Sequence, residues 1–259
     1  HVDMREFDED RDLVLRRAHD SGIAAIIDIG IDIVSSEAAT ALAEKYDFIF
    51  ATVGIHPHDA SRVTDVDMAR LEEMAKHPKV VAIGEIGLDF YRNRSTKESQ
   101  IESFKRQLAL AAKAGLPVVI HSRNAKDEVF GILKERVAGL KVGERPVGVL
   151  HCFSGDAELG RKYIDMGFLI SFAGPVTYPK SSAASVAKEI PLDKMLIETD
   201  CPFLTPQAHR GKRNEPSYVS YVASKIAEVK GVSAESVAET TSANAIRLFR
   251  LPVKQVVER

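Results

Sequence analysis

Short apolar runs rich in Val and Ile recur along this chain, and between most of them lie stretches with the period of an amphipathic helix. The runs cover residues 23–31, 48–55, 80–88, 116–120, 147–150, Phe168–Phe172 and Met195–Ile197. Each predicts a buried strand. The intervening Lys97–Ala114 places Ile101, Phe104, Leu108 and Ala111 or Ala112 on one helical face. Such alternation predicts βαβ units and an all-parallel sheet covered by helices.

The seven runs follow one another at about 20 to 35 residues, and an eighth strand is expected ahead of His1, on which the sequence begins. A parallel eight-stranded barrel takes roughly 250 residues, whereas an open doubly wound sheet usually announces itself by a Gly-rich first turn. No G-x-G-x-x-G occurs here. The expected fold is therefore an α/β protein of the (β/α)8 TIM-barrel class, its first strand truncated or missing before His1.

Composition sets the outer limits. With 259 residues, 45% hydrophobic and 28% charged, and no linker-like or low-complexity stretch, residues 1–259 are expected to form a single domain. A net charge of −2 gives no hint of a polyanionic partner, although a local basic cluster is not visible in an average. Cys152 and Cys201 are the only cysteines, no window approaches a membrane span, and no signal peptide is evident. A cytoplasmic protein without membrane association is expected.

In parallel barrels the rim at the C-terminal strand ends holds the chemistry. Here that rim is uniform. His1 follows the inferred first strand; Gly54-Ile55-His56-Pro57-His58, Gly84-Glu85-Ile86-Gly87-Leu88-Asp89, His121-Ser122-Arg123, His151 and Asp200 end later ones. Five of the eight histidines fall at these positions. Imidazoles and carboxylates converging on one rim are costly to desolvate unless a charge compensates them. Together they are the ligand set of a divalent transition ion. His1, Glu85, His121, His151 and Asp200 exceed what one ion needs, which points to two divalent cations, with Glu85 as the shared ligand. Strand alternation would turn the thiols of Cys152 and Cys201 away from the rim into packing.

The segment 206–216 puts Arg210, Lys212 and Arg213 within four positions after the last strand. Cationic loops there commonly hold phosphate. Arg123, two residues beyond His121, has the parity to contact the same substrate, and His56 is expected to hydrogen-bond the phosphate or a group just outside the ligands. Two-metal logic then gives attack of an activated water on phosphorus, with Asp200 accepting its proton and Glu85 completing the catalytic pair.

At these residues the sequence resembles the TatD family of metal-dependent deoxyribonucleases, barrels of the amidohydrolase-like group. The segments that carry the resemblance are residues 1–4, 54–58, 84–89, 121–123, 151–155, 174–178, 198–204 and 210–216, in order and nearly end to end. The resemblance implies that His1 is the second His of a His-x-His pair, with Glu85, His121, His151 and Asp200 as further ligands. It also implies DNA as substrate, 3′–5′ exonuclease action, and Mg or Mn as the ion; the His-rich set equally suits a softer ion such as Zn. Two other readings use the same residues: hydrolysis of an amide or ester, such as the acyl link of a D-aminoacyl-tRNA, and a non-catalytic nucleic-acid-binding relic.

Overall fold

The structure, a computed structural model, describes residues 1–137 and 145–252. In chain order its elements are α1 (Arg11–Asp20), β1 (Ile26–Ile29), α2 (Ile33–Lys45), β2 (Ile49–Val53), α3 (Asp65–Met74), β3 (Val80–Asp89), α4 (Lys97–Ala114), β4 (Val118–Arg123), α5 (Lys126–Val137), β5 (Gly148–Leu150), α6 (Ala157–Asp165), β6 (Phe168–Phe172), α7 (Ala183–Glu189), β7 (Met195–Ile197), α8 (Val219–Lys230) and α9 (Ala234–Phe249). Each of the seven apolar runs overlaps a strand, with β3 and β4 continuing past the ends of theirs, and Lys97–Ala114 is a helix over those residues. The chain divides into two compact units, one of residues 25–151 and one of His1–Ala24 with Cys152–Arg259.

In the 25–151 unit, β1 to β5 pair in sequence order, every pair parallel. Hydrophobic side chains fill both faces: β2 and β3 are buried along their whole length. Local chemistry starts the helices between them. Asp32 with Ser35 and Thr64 with Asp67 form reciprocal capping boxes at α2 and α3, and Thr96 caps α4. Gly115 ends α4 in the left-handed conformation, at φ 66°.

The pairing of β3 with β4 carries one irregularity that bears on function. Ile83 pairs with Val118 but Ile86 with Ile120, so Gly84 and Glu85 together face a single residue of β4. A bulge of this kind re-aims a side chain, and here it falls on Glu85. The Glu85 amide donates instead to Gly30 O, at 2.9 Å. Beyond the bulge, Gly87 takes a φ of 141° against β4, and a Cβ there would stand 2.0 Å from His121 O.

In the other unit β6 and β7 pair in parallel, α6 packs on β6, α9 packs on β7, and α8 lies against α7 and α9. Before α1 the chain makes one short turn of 3-10 helix, Arg5–Phe7, whose Phe7 is fully buried. Among the described residues no helix is long and apolar enough to cross a membrane.

Replacing Gly87 by Ala should cost about 2–5 kcal/mol, the combined scale of a forced backbone conformation and an overpacked contact. Gly22→Ala is the control: φ is 93°, but the added methyl meets nothing within 4 Å. Its expected loss is about 1–2 kcal/mol, the left-handed penalty alone. Urea unfolding of both variants checks the difference.

Candidate metal centre and its supporting loops

Four strands of the 25–151 unit deliver charged or titratable groups to one place. Glu85 comes from the β3 bulge, His56 from just beyond β2, His121 from β4 and His151 from just beyond β5. Glu85 Oε1 stands 2.7 Å from His121 Nδ1, 3.7 Å from His56 Nε2 and 3.7 Å from His151 Nε2. The His121 and His151 rings are 6.5 Å apart and nearly parallel, at 26°. Glu85 is only 4% exposed.

A second carboxylate completes the arrangement. Asp89, 1% exposed, sets Oδ2 3.0 Å from His58 Nε2 and 3.3 Å from His121 Nε2, while its Oδ1 accepts from the amides of Tyr91 and Arg92. His121 is thus held at both ring nitrogens by carboxylates. Sequence reasoning passed over Asp89 and His58 as site residues. The signal was present, since Asp89 lies four positions beyond Glu85 in a strand, a spacing that returns to the same face.

Burial raises the pKa of Glu85, but the His151 imidazole, the His121 hydrogen bond and the His56 ring outweigh it and hold the carboxyl well below the usual range. For Asp89, burial is again overcome, by hydrogen bonds from His121, the Arg92 backbone and His58. Burial opposes charge on His121 too, yet Asp89 and Glu85 carry its pKa to about 9. The protein therefore keeps two buried carboxylates ionised and wants positive charge between them.

His56 behaves differently. Burial dominates there and lowers its pKa to about 3, so the ring is neutral. Its Nδ1 accepts from the His58 amide at 3.2 Å, which assigns the proton to Nε2. Ligand atoms of His56, Glu85 and His121 lie within 4.8 Å of one another, a spacing suited to one ion. With its proton on Nε2, His56 is a donor in that group; Glu85 supplies lone pairs, and His121 would do so once a cation replaced the proton it shares with Glu85. The donor set of buried carboxylate and imidazole fits a divalent cation of the Zn or Mn kind.

In the other unit, His1 Nε2 lies 3.7 Å from Asp200 Oδ1, their side chains 6% and 14% exposed. Neither residue belongs to a strand. Arg11 fixes the segment after His1 by donating to Val2 O, Asp3 O and Met4 O at 2.7, 2.9 and 3.1 Å. Asp200 takes a left-handed φ of 58°. Glu198, two residues earlier, accepts from the Cys152 amide at 2.9 Å and the Ser171 hydroxyl at 2.5 Å. Cys201 is buried, as expected. Cys152 is only half-buried, because β5 ends at Leu150 and residue 152 turns to a φ of 43°, where strand alternation no longer applies.

The predicted substrate cations divide into two kinds. Arg123 lies over the Tyr91 ring at 4.0 Å and Arg210 over Tyr178 at 4.2 Å, and Lys212 is exposed. Arg213 is instead engaged by Asp10, with nitrogen–oxygen distances of 2.8 and 2.7 Å, and by the backbone carbonyl of Glu6. It ties the 210–216 loop to the start of α1.

Three buried carboxamides hold the loops that carry these groups, and none was predicted from sequence. Gln107 of α4 accepts from Ile55 N at 2.7 Å and donates to Ile55 O at 2.9 Å, beside His56. Gln100, one face-repeat earlier on α4, accepts from Asp89 N at 2.8 Å and donates to Asp89 O at 3.2 Å. Asn214 donates to Thr199 O at 2.7 Å and Phe203 O at 2.6 Å, bracketing Asp200. Gln100 and Asn214 are 0% exposed and Gln107 1%. Gln107→Leu and Asn214→Leu should each cost about 2–4 kcal/mol, because the released backbone groups stay buried without partners; denaturant unfolding measures this.

Residues 1–250 match the family described as TatD related DNase. A Bacillus subtilis protein described as an uncharacterized metal-dependent hydrolase, YabD, is 46% identical over 252 residues, covering 97% of each chain. A Pectobacterium atrosepticum protein described as the 3′-5′ ssDNA/RNA exonuclease TatD is 38% identical over 253 residues, covering 95% of each. The crystal structure of YjjV, a TatD homologue from Escherichia coli K12, superposes with a TM-score of 0.90 at 31% identity, over 97% of this chain and 96% of that one. That likeness agrees with the TIM-barrel class expected from the strand–helix alternation. The chain belongs to the TatD related DNase family and is a hydrolase.

Proposed function

We propose that this protein is a divalent-cation-dependent deoxyribonuclease of the cytoplasm, acting on single-stranded DNA from the 3′ end. The observation that carries the reading is the buried pair Glu85 and Asp89, kept ionised around His121 with His56 and His151 alongside. Support for DNA comes from the relatives described as 3′-5′ ssDNA/RNA exonucleases.

Glu85, His121 and His151 would hold a divalent cation in the 25–151 unit, and His1 and Asp200 would offer ligands in the other unit. When bound, divalent cations of the Mg, Mn or Zn kind supply a nucleophile at neutral pH and neutralise charge on the phosphoryl oxygens. The rest of the work belongs to side chains. Asp89 orients His121 through Nε2, which leaves Nδ1, beside Glu85, to face the cation. His56 presents Nε2–H to a phosphoryl oxygen. Asp200 accepts the proton of the attacking water. Arg123, Arg210 and Lys212 contact the phosphates, whereas Arg213 acts through its clamp on Asp10 and holds the loop that carries the other two.

Turnover of a single-stranded oligonucleotide should disappear on chelation and return with added Mn, Mg or Zn. Asp200→Asn and Glu85→Gln should each lower kcat by at least about a hundredfold, the scale of a lost general base or ligand. Both variants should keep the wild-type circular dichroism spectrum. Faster cleavage of an acylated tRNA than of the oligonucleotide by the wild type would overturn the assignment to DNA.

A further inference from the structure

Phe203 is three residues beyond Asp200, and its side chain is 49% exposed. A lone exposed apolar side chain on a loose loop needs no explanation. This one is not loose. Its amide donates to Asp200 O at 2.8 Å and its carbonyl accepts from the buried Asn214 at 2.6 Å. Cys201, Pro202, Thr205 and Pro206 around it are buried. The ring stands edge-on to the His1 imidazole, with centroids 6.5 Å apart at 66°. A hydrogen-bonded backbone thus presents a half-exposed aromatic ring beside two of the proposed ligands.

Positive charge is laced to the same loop. Thr205 donates its hydroxyl to Lys212 O at 2.6 Å, and Asn214 N donates to Pro202 O at 3.1 Å, so the cationic segment runs alongside residues 202–205. Tyr178, whose ring lies under Arg210, donates its hydroxyl to Thr205 O at 2.9 Å. An exposed ring with guanidinium and ammonium groups on adjoining chain is what an unpaired nucleotide requires, a face for the base and charge for the phosphate. A peptide or small acyl substrate has no nucleobase to lay on the ring.

We propose that Phe203 is the stacking platform for an unpaired nucleobase next to the scissile phosphodiester, with Arg210 and Lys212 on the adjoining phosphate. The inference rests on the nuclease reading and deepens it. Because every base has a π face, such a site binds single strands without strong sequence preference and disfavours a paired duplex end.

The test compares the cation-loaded wild type with Phe203→Ala, Phe203→Leu and Phe203→Trp on two oligonucleotides, one normal and one abasic at its two terminal positions at each end. On the normal strand Ala and Leu should raise KM roughly 5- to 150-fold with kcat changed far less, and Trp should stay near wild type. On the abasic strand the wild type should itself lose that factor, and Ala and Leu should lose nothing more. Thermal melting is expected to be alike for all four proteins; should Ala fail to fold, the contrast of Leu with Trp decides. Leu matching wild type, or an equal loss on both strands, overturns the stacking role and leaves the nuclease reading standing. A wild type that cleaves neither oligonucleotide overturns both.

Discussion

Two carboxylates buried four residues apart on one strand are a demand that the rest of the 25–151 unit answers. Glu85 and Asp89 are 4% and 1% exposed, in a strand buried along its full length. Ionised carboxylates survive there only with compensating charge and hydrogen bonds. Imidazoles answer this: His121 of β4 brings the charge and hydrogen-bonds both carboxylates, and His58, past β2, adds a second hydrogen bond to Asp89. The β3 bulge is part of the same answer. It turns Glu85 toward its partners at the point where a regular ladder would pair each residue singly with β4. Once the bulge is made, residues 84 and 87 must be glycine, since a Cβ on Gly84 would meet the Val119 side chain at 2.5 Å and one on Gly87 the His121 carbonyl.

Positioning such groups beyond the strand ends raises a second problem, which is solved by amides. A loop leaving a sheet has backbone donors and acceptors without ladder partners, and buried ones must be paired. Gln107 and Gln100 project from one face of α4 and answer both groups of Ile55 and of Asp89. Asn214 performs the same service for Thr199 and Phe203 on either side of Asp200. A carboxamide suits this task because it donates and accepts at once without bringing a charge that would compete with the site.

Much of this was legible in the sequence, and what was not has a physical reason. Strand positions followed from Val/Ile runs because parallel strands covered on both faces are continuously apolar. His56, His121 and His151 stood out because polar residues directly after such runs are costly without a purpose, and Glu85 because it is a charge inside one. Asp89 shares the motif of Glu85, and its spacing of four places it on the same face of the strand, a signal that the ligand-set argument did not use. The carboxamides were hidden for another reason. Gln100 and Gln107 sit in an amphipathic helix, where periodicity ranks them as polar and their burial shows only once the loops they hold are in place. Cys152 and Asp200 lie past the ends of β5 and β7 at positive φ, so alternation carries no information about where their side chains point.

The cations show how the same residue type is put to different use by its neighbour. An Arg fixed by a carboxylate has its charge answered and its N–H donors occupied, and Arg213 on Asp10 is of that kind. An Arg lying over an aromatic ring is held by dispersion and the ring quadrupole, which leaves its charge unneutralised and the donors in its plane available. Arg123 over Tyr91 and Arg210 over Tyr178 are of this second kind. Aromatic support costs less to give up than a bidentate ion pair and keeps the long side chain from sampling every rotamer. A site that must gather phosphate from water gains from that combination, since the entropy of ordering the arm is already partly spent before the substrate arrives. The three cations of the 210–213 segment are therefore unequal: Arg213 fixes where the loop runs, and that placement is what makes Arg210 and Lys212 useful.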